Sequence, residues 1–415
     1  MATVPLAPTP SPVAPGPATV SGAPEFSSAD RTGPLISIGI CAWNEELTIG
    51  VALESLFRQT LFAEVAQRGG RCEIICVANA CTDRTAAVTE AFFAEQGRTH
   101  PQAAAFAARV IDTPERGKLN ACNRLIHDHI APEAVAFILM DADIVLQTPD
   151  TLSNLYATLA AHPEAHISVD VAVKDIALKP RKRLRDWVSL GIGELTQSCG
   201  AQVSAQLFCI RMEIARRLYF PRDLPCGEDA LTKSLVCTDF LTRPTQRQRV
   251  VRAPNASHVF AAYTSAADVL RNQKRRMMGQ AVIHLLVDDY LAQQPAEVRK
   301  NCGQFMQQKD RSDPQWLQRL IAQHLARTKY FWRLFPGIPG LWFRRAARIE
   351  GPRKLLFLPV AIVGTAVTLT TCWMGRRALV KGALYYWPAK ADAARVARAL
   401  ETGAAVSRPA PPATR

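Results

Sequence analysis

The sequence predicts an α/β fold, a doubly wound, Rossmann-like, mostly parallel sheet followed by a C-terminal helical region. Three observations carry that prediction. Short apolar runs rich in β-branched residues begin near residues 35, 72, 108 and 136, with helix-period stretches between them. Polar clusters follow the C-terminal ends of these runs, where open α/β sheets place their ligand sites. The chain of 415 residues, 48% of them hydrophobic, is long enough for two or three units at ~150 residues each.

The first strand is Leu35-Ile-Ser-Ile-Gly-Ile-Cys41, followed by Ala42-Trp43-Asn44-Glu45-Glu46 and a helix with Ile49, Leu53, Leu56 and Phe57 on its apolar face. Cys72-Glu-Ile-Ile-Cys-Val-Ala78 is the second strand. It leads through Asn79-Ala-Cys-Thr-Asp-Arg-Thr85 into a helix carrying Val88, Phe92 and Phe93. Thr82 or Asp83 is the expected cap of that helix, whose N-terminus would attract an anion. Residues 108–111 form a short third strand, and Gly117-Lys118-Leu119-Asn120 opens the next helix. A fourth strand over residues 136–140 brings Asp141 and Asp143 to its C-terminal edge. Carboxylates at i and i+2 share one side of an extended backbone, so both can address one hard cation and its bound phosphates. A polar turn would give the same pair when read alone. Glu45, Asn79 with Asp83, Lys118, and Asp141 with Asp143 therefore converge on one crevice.

Beyond residue 173 helices lengthen and strands thin out. Residues 205–210 read as a strand and 212–218 as a short helix. Leu224-Pro-Cys-Gly-Glu-Asp-Ala230 then sets Glu228 and Asp229 before a helix through Leu231, Leu235 and Val236. An acid near a hydroxyl can take its proton. Two acids also suit a helix N-terminus on electrostatic grounds alone. His258 follows a strand over 249–253 and reads as structural rather than metal-ligating. Gln273 and Arg276, spaced i, i+3, share a helix face.

The net charge of +14 calls for an anionic partner, either a phosphorylated substrate or an acidic membrane surface. Zinc-finger, RRM and KH signatures are all absent, which argues against nucleic acid. Without a Walker A or GxGxxG loop, a nucleotide site must use side chains and a metal. The 11 cysteines form no CxxC pair and read as small buried hydrophobes in a reducing compartment.

Five segments in order resemble the motif set of family 2 glycosyltransferases: Ile38-Gly-Ile-Cys-Ala-Trp-Asn-Glu-Glu46, Val77-Ala-Asn-Ala-Cys-Thr-Asp-Arg-Thr85, Gly117-Lys-Leu-Asn-Ala-Cys-Asn123, Asp141-Ala-Asp143 and Gly227-Glu-Asp229. The similarity runs over residues 35–280. It implies the GT-A fold, a nucleotide-sugar donor, a divalent metal (Mg2+ or Mn2+) at a DXD motif, and inversion at the anomeric carbon. On this resemblance Asp143 ligates the metal, while Asp141 contacts ribose, metal-bound water or the metal itself. Asn44, Glu45, Asn79, Asp83 and Lys118 serve the donor nucleotide. Asp229 is the catalytic base and Glu228 supports it. Gln273 and Arg276 resemble the Gln-x-x-Arg-Trp segment of processive sugar polymerases, with Met277 in place of Trp, and Arg276 would clamp the departing diphosphate. Family members often carry two acids after the second strand, where this chain has Ala78 and Asn79; Asn79 would reach the base through its amide, and UDP is the expected carrier.

The expected organisation is a disordered Pro/Ala-rich tail over 1–34, a nucleotide-sugar-binding half over 35–173, an acceptor-binding half over 174–290, a helical membrane-associated region over 291–402, and a disordered tail over 403–415. Residues 355–374 carry no formal charge and lie between two basic pairs, so they form a candidate transmembrane helix for a core of ~30 Å. The aromatic and basic mixture at 330–335 and 341–345 suits an interface. One span cannot build the channel of a polymer synthase. The expectation is transfer of one sugar to a lipid-linked or cell-envelope glycan acceptor by a cytoplasmic catalytic domain on the inner membrane. A sugar nucleotidyltransferase could use the same sheet and acidic pair, but its glycine-rich basic loop is absent here. A catalytically inactive membrane-associated nucleotide-binding module would not need Asp141, Asp143 and Asp229 together.

Overall fold

The computed structural model describes residues 19–20, 33–183, 186–187, 189–190, 201–263, 265–328, 331–338, 340–347, 351, 353–382, 398 and 401. Apart from residues 19–20 and 33–34, the tail expected over 1–34 lies outside the described residues, as does all of 403–415.

Nine strands form one sheet: β1 (Thr19–Val20), β2 (Leu35–Ala42), β3 (Arg71–Asn79), β4 (Phe106–Thr113), β5 (Ala134–Asp141), β6 (Ile144–Leu146), β7 (Ile167–Lys174), β8 (Leu207–Arg211) and β9 (Val250–Phe260), in the order β1-β4-β3-β2-β5-β8-β7-β9-β6. β2 lies at the centre of a parallel block, where Ile38 pairs with Ile74 on one side and Ile138 on the other. The connecting helices are α1 (Ile49–Phe57), α2 (Leu61–Gln67), α3 (Thr85–Thr99), α4 (Lys118–Arg124), α5 (Thr151–Ala161), α6 (Met212–Ala215) and α7 (Glu228–Cys237). Next come α8 (Ala266–His284), α9 (Ala296–Lys300), α10 (Cys302–Ser312), α11 (Trp316–Arg327), α12 (Leu341–Ala347) and α13 (Arg353–Val380).

Alternation along β5 shows why both faces of the sheet must be covered. Ile138 and Met140 enter one core with Leu53 and Leu56 of α1 and Leu152 of α5. Phe137 and Leu139 enter the other, with Leu125 beyond α4, Leu231 of α7 and Val282 of α8. A strand apolar on both faces is what a sheet between two helical layers requires.

The sheet is mixed rather than mostly parallel. Four of its eight strand pairs are antiparallel, because β8 inserts between β5 and β7 against both and the two edge pairs also run antiparallel. Apolar patterning reports that β8 is buried but not which way it runs. β9 is also longer than expected and contains His258 instead of ending before it.

The transmembrane expectation for 355–374 is overturned. Among the described residues no helix is long and apolar enough to cross a membrane. The stretch lies within α13, 28 residues with Pro359 inside. It packs on α8 and α12 through small residues: a Cβ at Gly375 would come within 3.3 Å of Met278, and one at Gly364 within 2.7 Å of the Trp342 ring.

Candidate functional site

The C-terminal ends of β2, β3, β4 and β5 open on one edge of the sheet, and Asn44, Glu45, Asn79, Asp83, Lys118 and Asp141 lie there or just beyond, whereas Gln273 and Arg276 lie on α8. Asp141 is the last residue of β5 and only 5% exposed. Asp143 follows in the turn before β6, half-buried and near enough to raise the Asp141 pKa. Burial is the main cause of that rise, to about 6, and Lys118 opposes it.

Lys118 is the centre of the site. Its ammonium lies 2.6 Å from Asp141 Oδ1 and 3.4 Å from Glu228 Oε1, and it donates to the Ala205 carbonyl at 2.8 Å. Burial alone would lower its pKa, but the two carboxylates hold it charged, above the ordinary lysine value. Glu228, also buried, is kept below the usual carboxylate range against its burial, chiefly by Lys118. One buried cation thus joins the end of β5 to the start of α7.

Two glycines set this geometry. Gly117 precedes α4 at φ 134° and Gly227 precedes α7 at φ 102°, values that side chains rarely adopt. A Cβ on Gly227 would also lie 2.4 Å from Ile283 Cδ1. The turn at Gly227 leaves its N–H free to donate to Glu228 Oε2 at 3.0 Å. Asp229 follows, with Oδ1 accepting from Ala230 N at 2.8 Å. Burial first, then the Glu228 carboxylate, raise the Asp229 pKa, with Arg276 and Lys118 pulling against them. Arg276, exposed on α8, therefore acts on the same space as Asp229. It also helps burial depress Lys174. Gln273 lies half-buried one turn earlier on α8.

The remaining donor-side residues are placed together but turned toward one another. Asn44, at φ 54°, accepts from Thr82 N at 2.8 Å and donates to Thr82 Oγ1 at 3.1 Å. Asp83 accepts from Glu46 N at 3.1 Å and from Thr85 N at 3.0 Å; it supplies the expected helix-start bond from one residue before the N-cap, Arg84. Glu45 is buried, its carboxylate hydrogen-bonded by Thr48, and its N–H reaches Thr85 Oγ1 at 2.8 Å. Asn79 donates to the Ala42 carbonyl at 2.6 Å and accepts from Gly117 N at 3.1 Å. These four residues lock the three strand-end loops into one rim. Asn79 is only 3% exposed, so its amide supports the rim rather than presenting a free edge to a base.

Other contributors carry no motif signal. The Arg116 guanidinium lies 4.0 Å over the Trp43 ring, beside Asn44. Gln206 joins the two halves, its carbonyl accepting from Asp141 N at 2.8 Å and its Oε1 lying 3.3 Å from His258 Nε2. His258 is fully buried, with Nδ1 2.6 Å from Asp170 Oδ2, in keeping with its structural reading. The ten described cysteines are free thiols, nine of them buried. Burial pushes Cys226 up to about 12, which makes it an inert neighbour of Glu228.

A mixed sheet whose parallel block carries an acidic pair at a strand end, with a second acidic pair at a helix start across a buried lysine, makes a GT-A-like α/β fold. Residues 37–216, less than half of the chain, match the model of glycosyl transferase family 2. The match includes the first four motifs and ends before Gly227-Glu-Asp229. No curated protein matches the chain. Among solved structures, similarity is found to the mannosyltransferase PcManGT from Pyrobaculum calidifontis in complex with GDP-Man and Mn2+, at 19% identity over 92% of this chain and 89% of that one, TM-score 0.45. S. aureus TarS 1-349 is similar at 14% identity over 84% and 91%, TM-score 0.42. Glucosyl-3-phosphoglycerate synthase from Mycobacterium tuberculosis, in complex with Mn2+, UDP-Glc and phosphoglyceric acid, gives 17% over 61% and 80%, TM-score 0.40.

Proposed function

We propose that this protein is a glycosyltransferase that moves one sugar, with inversion, from a nucleoside-diphosphate sugar, with UDP-sugars first among the candidates, to a lipid-linked or cell-envelope glycan acceptor on the cytoplasmic side of a membrane. The observation that carries the reading is the buried Asp141–Lys118–Glu228 bridge, which ties the donor-side carboxylates to the helix that bears Asp229. The elevated pKa of Asp229 suits a general base. It takes the proton of an acceptor hydroxyl as that oxygen bonds to the anomeric carbon, and the nucleoside diphosphate departs with the electron pair of the broken bond.

Asp143 and Asp141 would hold the divalent cation. No cluster of three ligating side chains occurs among the described residues, and a two-carboxylate site fits Mg2+ or Mn2+, which complete their shell with phosphate oxygens and water. When bound, such an ion offsets the charge developing on the diphosphate. Arg276 is the cation on the Asp229 side that can meet that charge as well. Lys118 instead spends its charge on Asp141 and Glu228, and so positions the start of α7.

The test is product release. With Mn2+ or Mg2+, a panel of UDP-, GDP- and dTDP-sugars and a membrane lipid extract, nucleoside diphosphate should appear from one donor class, and Asp229→Asn should stop it. Full release by Asp229→Asn would remove the base assignment. Release of pyrophosphate instead would turn the reading to nucleotidyl transfer.

A further inference from the structure

Helix α13 is inside out. Its buried positions hold small or polar residues, among them Ala361, Thr368, Thr371, Cys372 and Ala378. The hydroxyls of Thr365, Thr368 and Thr371 donate to the carbonyls of Ala361, Gly364 and Val367 at 2.7, 2.7 and 2.9 Å, and Trp342 Nε1 donates to Thr368 Oγ1 at 2.8 Å. The three threonine hydroxyls are thereby satisfied, and the side chains at the buried positions are small enough for close approach to α8.

Five large apolar residues point the other way. Leu358 is 46% exposed, Ile362 55%, Val363 62%, Trp373 50% and Val380 58%. At 3.6 residues per turn they fall on one face about 140° wide. Phe343 of neighbouring α12 is 44% exposed as well, so six of the twelve exposed large hydrophobics among the described residues belong to these two packed helices. Apolar side chains concentrated this way mark an interaction surface.

Charge selects the occupant. The α13 sequence contains Arg353, Lys354, Arg376 and Arg377 and no acidic residue. Arg377 lies on the exposed face, its guanidinium 4.7 Å over the Trp373 ring, and exposed Lys381 follows the helix. A second copy of α13 laid on this face would bring no acidic side chain to meet these cations. An anionic bilayer would meet them with opposite charge.

We propose that the exposed face of α13 docks in the plane of an anionic phospholipid bilayer. Leu358, Ile362 and Val363 enter the acyl boundary, Trp373 sits at headgroup depth, and Arg377 and Lys381 pair with lipid phosphates. The helix lies on the membrane and does not cross it.

Sedimentation of the full chain with sucrose-loaded vesicles tests the proposal. Wild type should bind vesicles containing phosphatidylglycerol, bind pure phosphatidylcholine poorly, and release in high salt. The triple variant Ile362→Ser, Val363→Ser, Trp373→Ser should bind at least about tenfold more weakly, the equivalent of one well-buried side chain. Its thermal melt should match wild type, because these side chains face solvent. Arg377→Glu supplies an independent single change and should weaken only the binding that needs anionic lipid. Equal binding by wild type and triple variant would overturn the proposal. So would wild type that ignores vesicles yet releases nucleoside diphosphate with a soluble acceptor, an outcome that leaves the transferase reading intact. A concentration-dependent dimer abolished by the triple variant would assign the face to a second copy instead.

Discussion

Strand β5 and helix α13 are both built on long apolar runs, and they dispose of them in opposite ways. In β5, Phe137, Ile138, Leu139 and Met140 are at most 3% exposed and feed two cores, one on each face of the sheet. In α13 Ala361, Thr371 and Cys372 are buried while Ile362 and Val363 stand more than half exposed. Composition cannot separate the two cases; the neighbours decide. β2 and β8 flank β5, and helices cover both its faces, so its end is rigid enough to fix Asp141 against Lys118. Among the described residues α13 packs on its neighbours through one face.

The largest expected effect lies at the rigid end of that contrast. Asp229→Asn should lower kcat by about 10²–10⁴, the usual worth of a positioned general base, with an unchanged melting temperature and nucleotide affinity. The α13 triple variant should turn over a soluble acceptor like wild type; a comparable loss there would erase the distinction between the two regions. Next in size is Lys118→Met, which leaves Asp141 and Glu228 buried without their cation and should cost about 3–5 kcal/mol in urea unfolding. Adding Glu228→Gln should recover part of that loss, because one stranded charge is removed. Simple additivity of the two changes would show that Lys118 and Glu228 act separately.

The isoleucine pair puts the comparison most plainly. Ile138→Ala should destabilise by about 2–5 kcal/mol, whereas Ile362→Ala should stay within about 0.5 kcal/mol. Similar costs would mean that α13 is buried against something in solution. The smallest effect concerns pH. A base must be unprotonated to act, and the Asp229 pKa is raised by burial and Glu228. kcat/KM should therefore fall on acidification at a pH above the ordinary aspartate range. Arg276→Gln removes a cation that lowers this pKa, and should move the limb further up.

The positions of the candidate residues were legible from strand ends and a helix start. Asp141, Asp143 and the Glu228-Asp229 pair stand where the apolar runs said they would. Partner choice was not legible. Lys118 reads as a cation free to meet phosphate, and only the fold shows that two carboxylates hold it. Asn79 and Asp83 read as ligand-facing groups, yet their hydrogen bonds close the rim between loops more than 30 residues apart in sequence. Strand direction was equally hidden, since β8 has the same apolar pattern whichever way it runs. In α13 the twenty uncharged residues were plain, but small and large apolar side chains count alike in a hydropathy reading, so the orientation of the helix was lost.

Calorimetric titration of UDP, GDP and ADP and their sugar conjugates, with Mn2+ or Mg2+ and then with chelator, tests the central claim most directly. One diphosphate class should bind only with metal, and binding should be lost in Asp143→Ala but kept in Asp229→Asn. Unchanged affinity in Asp143→Ala with metal present would contradict the placement of the donor site at the end of β5.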